Sequence, residues 1–178
     1  MERLVTEWAA GLVVLLVVPL VFGLMWLGWR RRGGRQADVP QPADAPPADG
    51  LGAPLVDPVE GLYVSTVRAG EWLDRVVVHG LGVRADAVLH AGTAGLWFAR
   101  RGARDLFVPA EDLLAVRVES GIAGKYTVGE GLLVVRWRSR TPDGAAAAEL
   151  DTGFRPREWA TSAVLAATLQ PLVPGGPA

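Results

Sequence analysis

The sequence predicts one membrane-spanning helix, then a small mainly-β domain of about seven strands closed by a C-terminal helix. Three observations predict it. Residues 8–29 carry no charged side chain. Residues 61–151 break into short apolar runs separated by glycine-containing turns. From Pro156 onward the apolar spacing changes from that of a strand to that of a helix.

The first run, WAAGLVVLLVVPLVFGLMWLGW, is 22 residues long. At 1.5 Å per residue it covers roughly 33 Å, enough to cross a hydrocarbon layer of about 30 Å. It lacks the polar stripe that a soluble surface helix needs. Trp8 stands at one end and Trp26 and Trp29 at the other, where indoles favour the headgroup layer. Pro19, near the middle, is tolerated in a membrane helix. A cleaved signal peptide has an apolar region of about 7–15 residues, shorter than this one. Arg30, Arg31, Arg32 and Arg35 then follow as a stop-transfer flank, against Arg3 alone on the other side. That asymmetry sets residues 1–7 outside and residues 30–178 in the cytoplasm of a plasma-membrane protein that crosses once.

After the basic flank, residues 36–58 read QADVPQPADAPPADGLGAPLVDP, with six prolines, four aspartates and no aromatic residue. Such a composition buries too little apolar surface to offset its ordering entropy, so 30–58 is expected to be flank and extended linker. The folded domain is expected over 59–170 and a frayed tail over 171–178. Residues 59–178 hold 13 Lys plus Arg against 13 Asp plus Glu. A net charge of zero argues against nucleic acid as a partner, because such binders show a basic excess or stripe.

Strands are expected at 61–67, 84–90, 95–101, 105–109, 114–119, 131–138 and 145–151, with a long loop holding a short turn or extra strand over 68–83. In 131–138, Leu133, Val135 and Trp137 alternate with Val134, Arg136 and Arg138, the pattern of a half-buried strand with one cationic face. Pro156 suits a first helical position, and Trp159, Ser162, Ala163, Ala166 and Leu169 are spaced to share one face of a helix over 157–169.

Seven short strands and a terminal helix fit a pleckstrin-homology (PH)-like split barrel, other small barrels of the OB or SH3 kind being the alternative. Trp72-Leu73-Asp74-Arg75, His79-Gly80-Leu81-Gly82, Gly121-Ile122-Ala123-Gly124-Lys125 and Leu150-Asp151-Thr152-Gly153-Phe154-Arg155 add to that pattern. With the span, they resemble an actinobacterial family of single-pass membrane proteins carrying a PH-like domain. Its members are commonly labelled only as membrane, export or transporter-like proteins, and their genes often lie beside pyrimidine-biosynthesis genes. The resemblance implies the fold and the membrane tether, and it carries no chemistry.

Several motifs tempt a functional reading. Asp151-Thr152-Gly153 is the signature triplet of aspartic proteases, yet it occurs once and only 25 residues follow it. It is expected to be structural, with Asp151 closing the last strand at a corner. Gly121–Lys125 falls short of a phosphate-binding loop, since Glu119 replaces the first glycine and Tyr126 follows the lysine. Lys125 remains a candidate contact for an anion or partner. Arg100, Arg101 and Arg104 cluster around one turn and are expected at a solvated hairpin tip, also as candidate anion or partner contacts. Trp8, Trp26, Trp29, Arg30, Arg31, Arg32 and Arg35 are the expected membrane-interface residues.

His79 and His90 are the only histidines, they sit in different predicted elements, and the chain has no cysteine. No metal, cofactor or catalytic constellation is expected. The expected function is a membrane-anchored, non-enzymatic module whose barrel docks a protein partner or the inner membrane surface. The alternative is an accessory subunit of a transporter or export system.

Overall fold

In the computed structural model, residues 16–26, 36, 38–119, 121–122, 125–126, 131–158 and 161–175 are described. The chain divides into two units, Met1–Ala37 and Asp38–Ala178. In the first, residues 16–26 form a helix, α1, in which every side chain is exposed, Leu16, Phe22 and Met25 to 63%, 68% and 66%. Among the described residues no helix is long and apolar enough to cross a membrane. The rest of the expected span, with Trp8 and Trp29, lies outside the described residues, as do Arg30, Arg31, Arg32 and Arg35.

The second unit is an antiparallel sheet that curls without closing. Its strands are β1 (Pro54–Arg68), β2 (Glu71–Arg75), β3 (Ala85–Gly92), β4 (Gly95–Arg100), β5 (Leu106–Pro109), β6 (Leu113–Glu119), β9 (Leu132–Arg140) and β10 (Ala146–Pro156). The order is β5-β4-β3-β1-β10-β9-β6, with β2 paired to the end of β1. A separate two-stranded ribbon, β7 (Gly121–Ile122) and β8 (Lys125–Tyr126), lies between β6 and β9 in the chain. β5 and β6 are consecutive in sequence, joined by a 3₁₀ turn at Ala110–Asp112, yet they form the two free edges. The C-terminal helix, α2 (Thr161–Leu169), packs on β6 and β9 and sends Leu165 and Leu169 into the core.

Inward-facing residues alternate with outward-facing ones most clearly in β3 and β4, as a pleated sheet with one buried face requires. Tyr63, Leu89, Phe98, Leu133, Val135, Trp137, Leu150 and Phe154 meet there. Phe98 bridges two aromatic neighbours, with its ring centroid 6.2 Å from Tyr63 and 5.8 Å from Phe154. The β3–β4 hairpin turns tightly at Gly95, whose φ is +147° and where a Cβ would sit 2.2 Å from the Val108 carbonyl oxygen. Only glycine fits there.

Several expectations need correction. β10 does not stop at Asp151 but runs to Pro156, because β1 continues beside it as far as the Gly61–Pro156 pair. Pro156 therefore ends a strand, where its missing N–H is tolerated. The helix begins at Thr161, and its buried residues are Ser162, Leu165 and Leu169, while Ala163 is exposed. Trp159 lies outside the described residues. Residues 132–135 of β9 are buried on both faces, because Leu132 and Val134 join Val64 and Val67 in a second apolar cluster behind the sheet. The 68–83 loop contains β2 and a 3₁₀ turn at Val78–Gly80.

The largest departure concerns the segment read as linker. Pro54–Pro58 already belong to β1. Residues 38–53 lie as a strap along the sheet, with Val39 buried among the core side chains and Leu51 buried further on. Asp38 accepts a hydrogen bond from Arg68 at 2.7 Å, and Asp44 is paired with Arg104. The Val39 carbonyl lies 2.9 Å from Nε2 of His79. A carbonyl only accepts, so Nε2 carries the hydrogen. His79 reaches it from a left-handed backbone, φ +55°, a conformation that histidine adopts more readily than most residues. Proline content predicts low helix and sheet propensity, and it does not forbid one apolar side chain from packing into the core.

Candidate functional site

Three arrangements of polar side chains stand out in the folded unit. The first surrounds Asp151, in the middle of β10 on the face turned away from the main core. Its side chain is 6% exposed. Arg136, its register partner on β9, donates through Nε and Nη2 at 2.9 and 3.0 Å. Arg117 reaches from β6 with Nη2 at 2.8 Å and Nη1 at 3.3 Å, and also bonds Glu119. The carboxylate thus takes two guanidinium forks, the strongest geometry for such a pair. Burial pushes the Asp151 carboxyl up, but the bonds from Arg136 and Arg117 outweigh it and hold the group below the usual carboxylate range. General acid–base catalysis needs a carboxyl that can take and give a proton near neutral pH, and a doubly clamped carboxylate has none to give.

The second arrangement runs through the core. Trp137 Nε1 lies 2.9 Å from Thr152 Oγ1, Thr152 Oγ1 2.7 Å from Thr66 Oγ1, Thr66 Oγ1 2.6 Å from Tyr63 Oη, and Tyr63 Oη 2.8 Å from the Leu81 carbonyl. An indole nitrogen only donates and a carbonyl only accepts. Every hydrogen between them is therefore fixed: Trp137 donates to Thr152, Thr152 to Thr66, Thr66 to Tyr63, and Tyr63 to Leu81. The chain joins β9, β10, β1 and the 76–84 loop at full satisfaction, the condition under which a buried polar network stabilises a core.

Burial pushes the Tyr63 phenol up to about 12, against the opposing pull of Arg100 and the bond from Thr66. The unfolded phenol titrates near 10. The folded state then holds its proton more tightly, so this contribution to stability is complete below pH 10 and lost as pH rises towards 12. In a phenolate-absorbance titration, Tyr63 should ionise only together with unfolding. Ionisation of both tyrosines near pH 10 in folded protein would contradict the buried chain.

The third arrangement dissolves the expected arginine cluster. Arg100 is not at a solvated tip but 5% exposed, because it faces inward opposite Ala87. Its Nε donates to the Arg104 carbonyl at 2.5 Å and its Nη1 to the Gly80 carbonyl at 3.0 Å, while its guanidinium carbon stands 4.4 Å above the Tyr63 ring. Burial pushes its pKa down. Arg104 is paired with Asp44 on the strap, and Arg101 stays exposed. The expected cationic face of β9 is divided likewise, Arg136 going to Asp151 and Arg140 to Asp112. Lys125 is in β8, and its side chain lies outside the described residues.

Behind β1, β3 and β4 runs a groove of about 380 Å³, whose rim carries Glu60, Asp86, Asp105, Arg101 and Arg157 over Val88 and Ala99. Beside it His90 stacks on Trp97, ring centroids 4.7 Å apart, and Trp97 donates to Asp105 at 3.1 Å. The rim carries both acids and bases, so it favours neither a polyanion nor a polycation. Among the described residues no group of three or more His, Asp or Glu side chains converges as metal ligands.

An antiparallel sheet of seven or eight strands, open between its edges and closed by a C-terminal helix, defines a PH-like domain. Residues 36–170 match the bacterial PH domain-like family, and the chain belongs to that family. The match begins within the proline-rich segment, in agreement with the ordered strap. No curated protein matches the chain.

Proposed function

We propose that this chain is a membrane-anchored docking module, with residues 8–29 as its single span, residues 1–7 outside and the PH-like unit in the cytoplasm. The uncharged 22-residue run, the exposed apolar side chains of α1 and the four arginines beyond it support the anchor. One observation above all supports docking over catalysis. The acid of its most enzyme-like motif, Asp151, is held by Arg117 and Arg136 as part of the sheet. PH-like folds serve as binding modules, and here the groove behind β1, β3 and β4 offers a mixed-charge surface suited to a protein partner.

Two measurements test this reading. The full chain should remain with membranes through alkaline carbonate washing. A C-terminal reporter active only in the cytoplasm should work, and one active only outside should stay silent. Release by carbonate, or activity of the external reporter, would overturn the anchor or its orientation.

A further inference from the structure

We infer that the contacts holding residues 38–44 form a docking track that also receives a segment of a protein partner, an extended acidic peptide with one aliphatic anchor. The inference does not depend on the membrane anchor. The track uses none of the residues that line the groove behind β1, β3 and β4.

The strap displays what the track reads. Asp38 bonds Arg68 at 2.7 Å, Val39 is buried in the core cluster, and Asp44 pairs with Arg104. Two arginines thus select acids six positions apart, with an aliphatic residue directly after the first. Pro40 and Pro42 keep the stretch between them extended before it binds, so little entropy is lost on docking. Main chain is read as well as side chain. His79, the one non-glycine residue with positive φ among the described residues, presents Nε2–H to the Val39 carbonyl at 2.9 Å. A ring held in that way serves whichever carbonyl lies in the track.

The strap is built to be exchanged. Among the described residues, no backbone–backbone hydrogen bond joins 38–47 to the sheet, so its departure breaks no ladder. The Asp38 and Asp44 side chains are 55% and 85% exposed, and ion pairs so open to water hold weakly. When the strap leaves, Arg68 keeps Asp74 at 3.2 Å, while Arg104 has no second carboxylate among the described residues. Departure also opens a socket in the cluster that contains Val76 and Leu81. An apolar socket beside an unmatched cation selects a segment of the strap's own chemistry.

The probe is a fluorescein-labelled synthetic peptide, QADVPQPADAPP, the sequence of residues 36–47. It is titrated into full-length protein in mild detergent. Asp38→Lys with Asp44→Lys loosens the tethered strap, and adding Val39→Ala loosens it further. The peptide should bind the loosened protein about tenfold or more tightly than wild type, because a tethered segment competes at an effective concentration in the millimolar range. Binding should weaken with salt, and a peptide carrying Val39→Asp should not bind. Arg104→Glu in the loosened protein should abolish binding, and a peptide carrying Asp44→Lys should restore it. The double variant alters only exposed carboxylates and decides the matter alone if the triple variant fails to fold. No binding to folded, loosened protein would overturn the track, as would binding indifferent to Arg104→Glu. Wild-type dimers that the same peptide dissociates would overturn a separate partner and make a second copy of this chain the occupant.

Discussion

Replacing Asp151 by alanine should lower the stability of the folded unit by about 3 kcal/mol, the range for removing one partner of a buried ion pair after allowing for partial exposure. Arg117 and Arg136, 30% and 33% exposed, would be left facing each other without the carboxylate that holds both. Their access to water keeps the loss below that of a fully buried pair. For a unit of this size that corresponds to a fall in Tm of roughly 10 °C. The deficit should also depend on pH in a definite direction. The folded carboxyl titrates below its ordinary value, so its contribution is present above about pH 4 and lost as pH falls through the folded pKa. Denaturant midpoints of wild type and Asp151→Ala should therefore converge in strong acid. A constant gap, or an unchanged midpoint at neutral pH, would show that the clamp contributes nothing.

Thr152→Val should have the next largest effect, about 2–3 kcal/mol, because it leaves the buried Trp137 N–H without an acceptor and removes the donor to Thr66. The change conserves shape, so little of the loss comes from packing. Thr66→Val should cost less, since Thr152 still accepts from Trp137 and Tyr63 still donates to Leu81. The double variant should lose less than the sum of the two, as neighbours in one network do. Additive losses in denaturant titrations would mean that the four bonds act independently. Stability falling equally at 66 and 152 would reject the directional order.

The sheet was legible where the chemistry is local. Glycine turns and alternation located β3, β4, β5 and β6 to within about a residue or two, the usual boundary error. Long-range compensation was not. Arg117 and Arg136 lie 34 and 15 residues from Asp151, and nothing in their spacing announces that one carboxylate serves both cations. Arg100 reads as a surface residue because it shares a turn with Arg101 and Arg104, yet strand parity turns it inward onto Tyr63. The strap was missed for a different reason. Composition reports the average of a segment, while Val39 anchors it as an individual. The apolar stretch extending to Trp29 is the most conspicuous run in the chain, and it says nothing about the sheet.

The place of β1 in the sheet sets an order of events during synthesis. β1 pairs with β3 on one side and β10 on the other, and Gly61 meets Pro156 across that second seam. The ribosome must therefore add 88 further residues after Arg68 before the seam is complete. At about 5–20 residues per second this takes roughly 4–18 seconds. Throughout that interval one edge of the longest strand is unpaired, the condition in which nascent sheets recruit the wrong partner. The sheet is complete only as its last strand emerges, so a truncation anywhere before Pro156 should yield a sticky, unfinished half-sheet and not a smaller domain.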